Sequence, residues 1–292
     1  MKKPFILIVA IIFSIEVYSQ TAEEFKEQGM EYLNDANYSS AIEYFTKVIE
    51  IDPRDPQAYM LRGAAKGQMK DCNGEIADIT KAIEMQTNNP EMYNRRADAK
   101  SYCLKDYTGA IEDYTKAFVI TRAVTLKACN MTEDDSLANY VVDSKNTNAL
   151  NGRAKAKCLL NDYQGAIADF TLSIAISPKN FTTYMKRAEV KQQLQDFSGA
   201  IDDLTKAIEF SSKYPMGYFQ RGLVKIDSKD YVGAIADFDQ ALIRAPRYAE
   251  AFYQRGIAKI QSLPKESGCE DFYEARKLGY EEAFELIKKH CL

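Results

Sequence analysis

Small residues recur at one interval along this chain. Gly29, Gly63 and Ala97 stand 34 residues apart, and so do Ala154, Ala188, Gly222 and Gly256. A period of that length is one helix-turn-helix unit, which cannot bury its apolar face alone and must stack on copies of itself. The chain is therefore constrained to a stacked helical array, whose natural working surface is a long wall rather than a closed pocket.

Other residues repeat in register. Four places before each small residue stands a large side chain: Phe25, Tyr59, Tyr93, Leu150, Tyr184, Tyr218 and Phe252. Three places after it comes Tyr32 and then a lysine in each later unit: Lys66, Lys100, Lys157, Lys191, Lys225 and Lys259. Turns are marked by the pairs Asp106-Tyr107, Asp162-Tyr163, Asp196-Phe197 and Asp230-Tyr231. A second small residue follows at Ala41, Ala110, Ala166, Ala200 and Ala234, with Phe45, Tyr114, Phe170, Leu204 and Phe238 four places on. Both segments carry the i, i+3, i+4, i+7 spacing of amphipathic helices.

On these residues the chain resembles the tetratricopeptide repeat family. The phrases opening at Asp162 and Asp196 are typical of its bacterial members, and Pro53, Pro178 and Pro246 stand where the second helix ends, since proline cannot continue a helix. The resemblance implies an all-α fold, a right-handed α-solenoid of about seven helical hairpins with a C-terminal capping helix. The units start at Ala22, Pro56, Pro90, Thr147, Phe181, Pro215 and Ala249. Repeats two and seven depart from the pattern, with Glu75 and Gly268 where alanine is expected.

The interval from Ala97 to Ala154 is 57 residues, a surplus of 23, one of which belongs to an extended turn ending at Ala110. The rest is read as an irregular or short helical insertion over 123–146, or as a degenerate repeat that pads the stack. The expected organisation is repeats one to three over 20–122, repeats four to seven over 147–280, and the capping helix over 281–292. Residues 1–19 form a different object. Lys2 and Lys3 precede an apolar run from Phe5 to Phe13, and small residues precede Gln20, the pattern of a signal peptide cut after Ser19. The run is too short for a membrane span of roughly 20 residues. The mature chain is expected outside the cytoplasm, periplasmic or secreted, with no transmembrane span.

Cleavage there moves the formal charge from −4 to −5. A mildly acidic, charge-mixed surface excludes nucleic acid as the expected partner, because phosphate binding relies on clustered excess cations. Arg62, Arg96, Arg153, Arg187, Arg221 and Arg255 precede the small residue of every repeat after the first, yet they share the helix face of the aromatic position, within about 60° at 100° per residue. Asp78, Asp113, Asp169, Asp203, Asp237 and Asp271 recur on the second helix, so the arginines and lysines are read as an ion-pair ladder between helices. Each pair, taken as exposed, is worth about 0–1 kcal/mol.

The opposite face of each first helix is where ligands lie in the family the chain resembles, on the concave wall. In repeats three to five that wall is polar, with Asn94, Arg95, Ser101, Asn148, Asn151, Lys155, Lys186, Glu189 and Gln192. In repeats six and seven it turns apolar, with Met216, Phe219, Leu223, Ile226, Tyr253, Ile257 and Ile260. Asn94, Arg95, Asn151 and the apolar set are the candidate partner-binding residues. The alternative is that the neighbouring repeat or the terminal helix covers the apolar set. The family's lysine and asparagine carboxylate clamp is not reproduced at the early positions Lys26, Met30, Met60 and Ala64.

Six cysteines remain, and disulfides are permitted in an exported protein. Cys269 and Cys291 are expected to bridge, because a reversal near Gly279 brings two antiparallel helices together. The pairing of Cys72, Cys103, Cys129 and Cys158 stays open. No metal site or cofactor is expected: the one histidine, His290, supplies no cluster, and no phosphate-cradling or dinucleotide motif occurs. The chain reads as a non-enzymatic scaffold for a protein or peptide partner in a bacterial envelope assembly. A structural or sensory spacer without a groove is the rival, and a carboxylate-dependent hydrolase a remote third reading.

Overall fold

The computed structural model describes residues 21–128, 146–262 and 264–292. The expected signal peptide, most of the expected insertion and Cys129 lie outside the described residues. Between Ala123 and Val124 the chain divides into two compact units, each a run of helical hairpins.

The first unit pairs α1 (Ala22–Asn34) with α2 (Tyr38–Ile51), α3 (Pro56–Gln68) with α4 (Cys72–Met85), and α5 (Pro90–Ala99) with α6 (Tyr107–Ala128). The second pairs α7 (Asn146–Leu159) with α8 (Tyr163–Ile176), α9 (Phe181–Gln193) with α10 (Phe197–Phe210), α11 (Pro215–Asp227) with α12 (Tyr231–Arg244), and α13 (Ala249–Ser262) with the short α14 (Cys269–Lys277). The closing helix α15 (Ala283–His290) packs on α14. Regular structure among the described residues is thus all-α. The expected insertion is narrower than 123–146 at both ends: helix α6 runs on to Ala128, and α7 already begins at Asn146.

The repeated small residues mark where the helices of a hairpin cross. A Cβ on Gly222 would lie 2.6 Å from the Phe238 ring, and one on Gly256 would lie 2.6 Å from Phe272. Such contacts let the aromatic of the second helix reach the backbone of the first. Phe45, Phe170, Phe238 and Phe272 are accordingly buried completely or nearly so.

The Asp-aromatic pairs have a local cause. Asp71, Asp106, Asp162, Asp196 and Asp230 each accept a hydrogen bond from the backbone N–H of the glycine three residues on, capping the second helix. The residue before each aspartate closes the turn in the left-handed region: Lys70, Lys105, Asn161, Gln195 and Lys229 have φ between 55° and 65°. In repeat three one extra residue enters this turn. It is absorbed by a π-helical turn at Lys100–Leu104, which carries Cys103 over to a disulfide with Cys72 at the start of α4. Cys269 and Cys291 form the second disulfide, tying α14 to the end of α15. Cys158 is a free thiol.

Candidate first-helix binding wall

The ion ladder is the frame that sets the wall. In all six places the guanidinium grips its aspartate through two nitrogens while the lysine takes the same carboxylate. In repeat five Arg187 Nη2 lies 2.6 Å from Asp203 Oδ1, and Lys191 Nζ lies 2.9 Å from Asp203 Oδ2. The same pattern joins Arg62 and Lys66 to Asp78, and Arg221 and Lys225 to Asp237. The remaining guanidinium nitrogen reaches back one repeat: Arg62 donates to Thr46, Arg96 to Thr80, Arg187 to Thr171 and Arg221 to Thr205. Five of the six arginines, Arg153 after Leu150 being the exception, also lie over the aromatic ring three residues before them, as Arg187 does over Tyr184 at 5.8 Å. Contrary to the expectation of exposed pairs, the carboxylates are buried, with Asp203 4% exposed and Asp271 1% exposed. Burial follows from the crossing geometry, because each aspartate sits one residue before the large apolar or aromatic side chain that fills the crossing, Ile79, Tyr114, Phe170, Leu204, Phe238 or Phe272.

With that face committed to packing, the opposite face of the first helices forms the wall. In the second unit α9 contacts α11, and α11 contacts α13. Between α9 and α11 opens a pocket of about 360 Å³ lined by Phe181, Met185 and Lys186 on one side and by Met216, Gly217 and Gln220 on the other. Ala207 of α10 and Ser211 just past its end form its floor, and Tyr214 and Glu189 its rim. It continues into a recess of about 190 Å³ beside Gln192 and Leu223, and there Gln192 Nε2 donates to Asp227 at 2.6 Å across to α11.

Two residues of the lining carry an enclosed oxygen, Ser211 Oγ and Gln220 Oε1, without a hydrogen-bond partner among the described residues. Such atoms cost about 1–3 kcal/mol each when left unsatisfied. Lys186 is half-buried, and its ammonium is within hydrogen-bond reach of Lys155 on α7. Burial first, and repulsion from Lys155 second, pull its pKa down to about 8, with Glu189 opposing only in part. At the outer edge Tyr214 stacks on Phe181 with centroids 5.7 Å apart and is 61% exposed. Tyr214 and Tyr248 occupy N-cap places where earlier repeats use Asp55 and Asn89.

The candidate residues separate into several groups. Asn94 and Arg95 lie in the first unit, where Arg95 pairs with Glu91 of its own helix. In the second unit Asn151 donates to Thr183 Oγ1 at 3.4 Å, and Met216 is on the pocket wall. Phe219 is a correction: it is 4% exposed and belongs to the core, because Tyr248 of the next repeat leans on its ring at 4.7 Å. Leu223 and Ile226 pack against that same core from the side. Tyr253, Ile257 and Ile260 are half-buried against the cluster of Phe272, Ala283 and Ile287, with Tyr280 lying 4.8 Å from Tyr253. The apolar half of the wall is thus largely a seam covered by its neighbours, and the open part lies at α9 and α11. Met185, Ser211, Gly217 and Gln220 escaped the sequence reading. The visible signal was Gly217, which stands where other repeats carry Ala58, Met92, Ala149, Thr183 and Ala251.

Repeating helical hairpins locked by a buried Arg-Asp-Lys ladder define a helical repeat protein. A family model for the tetratricopeptide repeat matches residues 27–55. Over 102 residues the chain is 32% identical to a DnaJ homolog subfamily C member 7 homolog of Dictyostelium discoideum, a match covering 34% of this chain and 19% of that one. Over 93 residues it is 31% identical to human serine/threonine-protein phosphatase 5, covering 32% of this chain and 18% of the relative. The chain thus spans less than a fifth of the length of these curated relatives. Its fold is similar to that of a tetratricopeptide repeat protein from Parabacteroides merdae, with a TM-score of 0.61 at 19% identity over 94% of this chain and 100% of that one. It is also similar to YrrB, with a TM-score of 0.53 at 20% identity over 72% of this chain and 97% of the other. The chain thus carries a match to the tetratricopeptide repeat over residues 27–55 and shares its fold with tetratricopeptide repeat proteins.

Proposed function

We propose that the chain is an exported interaction scaffold that holds a protein or peptide on its first-helix wall, within a bacterial cell-envelope assembly. The observation that carries this reading is the α9–α11 pocket, where apolar side chains and a half-buried lysine line one opening. Support for peptide binding comes from YrrB, described as having an unusual peptide-binding site, and from the similar Hsp70-Hsp90 organizing protein 2 of Arabidopsis thaliana, named for organising other proteins. The leader-like residues 1–19 and two disulfides favour export.

Peptides selected from a random displayed library against the purified chain test the binding site. Met216 is exposed on the pocket wall, so Met216→Glu is expected to weaken selected peptides at least tenfold with an unchanged helical spectrum. Equal binding by the variant would remove the pocket as the site. For export, the N-terminal residue of the secreted product is expected to be Gln20. The rival spacer reading is favoured by the cover over Phe219 and Tyr253. It wins if no library peptide binds.

A further inference from the structure

One carboxylate of the first unit sits in a socket cut for it by the facing helix. At the second small position Ala41, Ala110, Ala166, Ala200 and Ala234 are completely buried, and repeat two places Glu75 there instead. The room comes from Gly67 near the end of α3. A Cβ on Gly67 would overlap Glu75 Oε2 and lie 2.8 Å from Oε1. At the Gly67 place the other repeats carry Leu33, Ser101, Cys158, Gln192, Ile226 and Ile260, every one with a side chain in that space. Glycine within a helix and a carboxylate in place of a buried methyl each cost stability. The two costs fall together in one repeat, and the ion ladder, which there uses Arg62, Lys66 and Asp78, needs neither.

Glu75 is half-buried, and its carboxylate makes no hydrogen bond or ion pair among the described residues. Its neighbours on α5 are engaged elsewhere. Arg95 pairs with Glu91 at 3.5 Å, and Asp98 accepts a hydrogen bond from the Tyr114 hydroxyl at 2.5 Å. Burial pushes the Glu75 pKa up; the charge of Arg95 opposes the rise and that of Asp98 adds to it, leaving the net shift upward. The Gly67 place is that of Gln192, which lines the recess on the wall of the second unit. Glu75 therefore lies at the wall side of the α3–α4 hairpin.

We propose that Glu75, seated in the Gly67 socket, takes a lysine or arginine side chain of the protein segment held on the first-helix wall, an inference that rests on that wall binding peptides. An arriving cation offsets what burial costs the ionised carboxylate, and the bond it makes is charge-assisted. Because the carboxyl lies against the backbone of α3, its ligand needs reach. Lysine and arginine bring a cation on a long apolar stem, and a short cationic side chain stops above the socket.

The test is selection of peptides from a random displayed library on the purified chain, followed by affinity measurements on synthetic copies. Peptides with lysine or arginine at one fixed place are expected among those recovered. Glu75→Gln is expected to weaken them at least tenfold, whereas Glu84→Gln, which removes the same charge from an exposed place on α4, leaves them unchanged. Shortening the lysine to diaminopropionic acid is expected to weaken binding at least tenfold. Glutamate at that place is expected to abolish binding to the native chain and to regain it on Glu75→Lys, a reversal that unfolding cannot produce. Recovered peptides without a cationic preference, or ones that bind Glu75→Gln as tightly as the native chain, overturn this inference and leave peptide binding standing. A library from which nothing binds overturns both.

Discussion

At the residue scale, the ladder arginines are half-buried struts on buried carboxylates. Removing Arg187 leaves the Asp203 carboxylate inside the protein with only Lys191, and also frees Thr171 Oγ1. Breaking one side of a buried pair costs about 3–5 kcal/mol, and the surviving lysine offsets part of that. Arg187→Met is therefore expected to lower stability by about 2–3 kcal/mol in denaturant titration, well above the value for an exposed pair. Lys186 is the opposite case. Its folded pKa of about 8 lies below the ordinary 10.5, so the unfolded chain binds the proton more tightly between these values, and its contribution to stability rises as pH rises from about 8 to 10.5. Below pH 8 the charged, half-buried ammonium opposes folding. Lys186→Met is expected to raise Tm at pH 7, and thermal melts of the two proteins should converge as pH approaches 10.5. A residue that costs stability at rest and lines a pocket is where binding chemistry is expected to sit.

At the scale of the element, the turns and caps show what the periodic pattern could and could not disclose. Gln195 closes the α9–α10 turn with φ 61°, a region that suits glycine or asparagine and strains a longer side chain. Gln195→Gly is expected to stabilise the second unit by about 0.5 kcal/mol, the relieved strain exceeding the added freedom of the unfolded chain. Tyr214 stands at the N-cap of α11 without a side-chain capping bond. Tyr214→Asp restores a cap worth about 1 kcal/mol and removes a ring stack of about 0.5–1.5 kcal/mol, so stability is expected to change little. Peptide affinity is expected to fall. Helix positions, hairpin pairing and the ladder were legible because each depends on spacing within one repeat. The extra residue before Ala110 likewise announced its wider turn. Cover over a wall position was not legible, because it depends on a side chain in the next repeat. Phe219 is buried since Tyr248 replaces a capping residue and leans inward, whereas Met216 stays open. The pocket escaped for the same reason, as its floor comes from Ser211 and Ala207 on a second helix.

For the whole molecule, each compact unit holds one disulfide among the described residues. Cys72–Cys103 ties the second hairpin of the first unit to the third, and Cys269–Cys291 ties the closing helix of the second unit to its last hairpin. Loop-closure entropy assigns each about 3–4 kcal/mol. Cys72→Ser with Cys103→Ser is expected to lower protection from hydrogen exchange in α4 and α5 while leaving α14 and α15 unchanged, and the pair Cys269→Ser with Cys291→Ser to do the reverse. Peptide mapping without reductant should recover both linked fragments. The backward bond of each arginine has a further consequence. Because Arg221 meets Thr205 as Arg187 meets Thr171, excising the 34 residues from Phe181 to Tyr214 would present Arg221 with Thr171, an identical socket. Joints that share the threonine accept one another's plug, so lineages can shorten or lengthen such a protein by whole modules and alter its recognition surface without redesigning its interior.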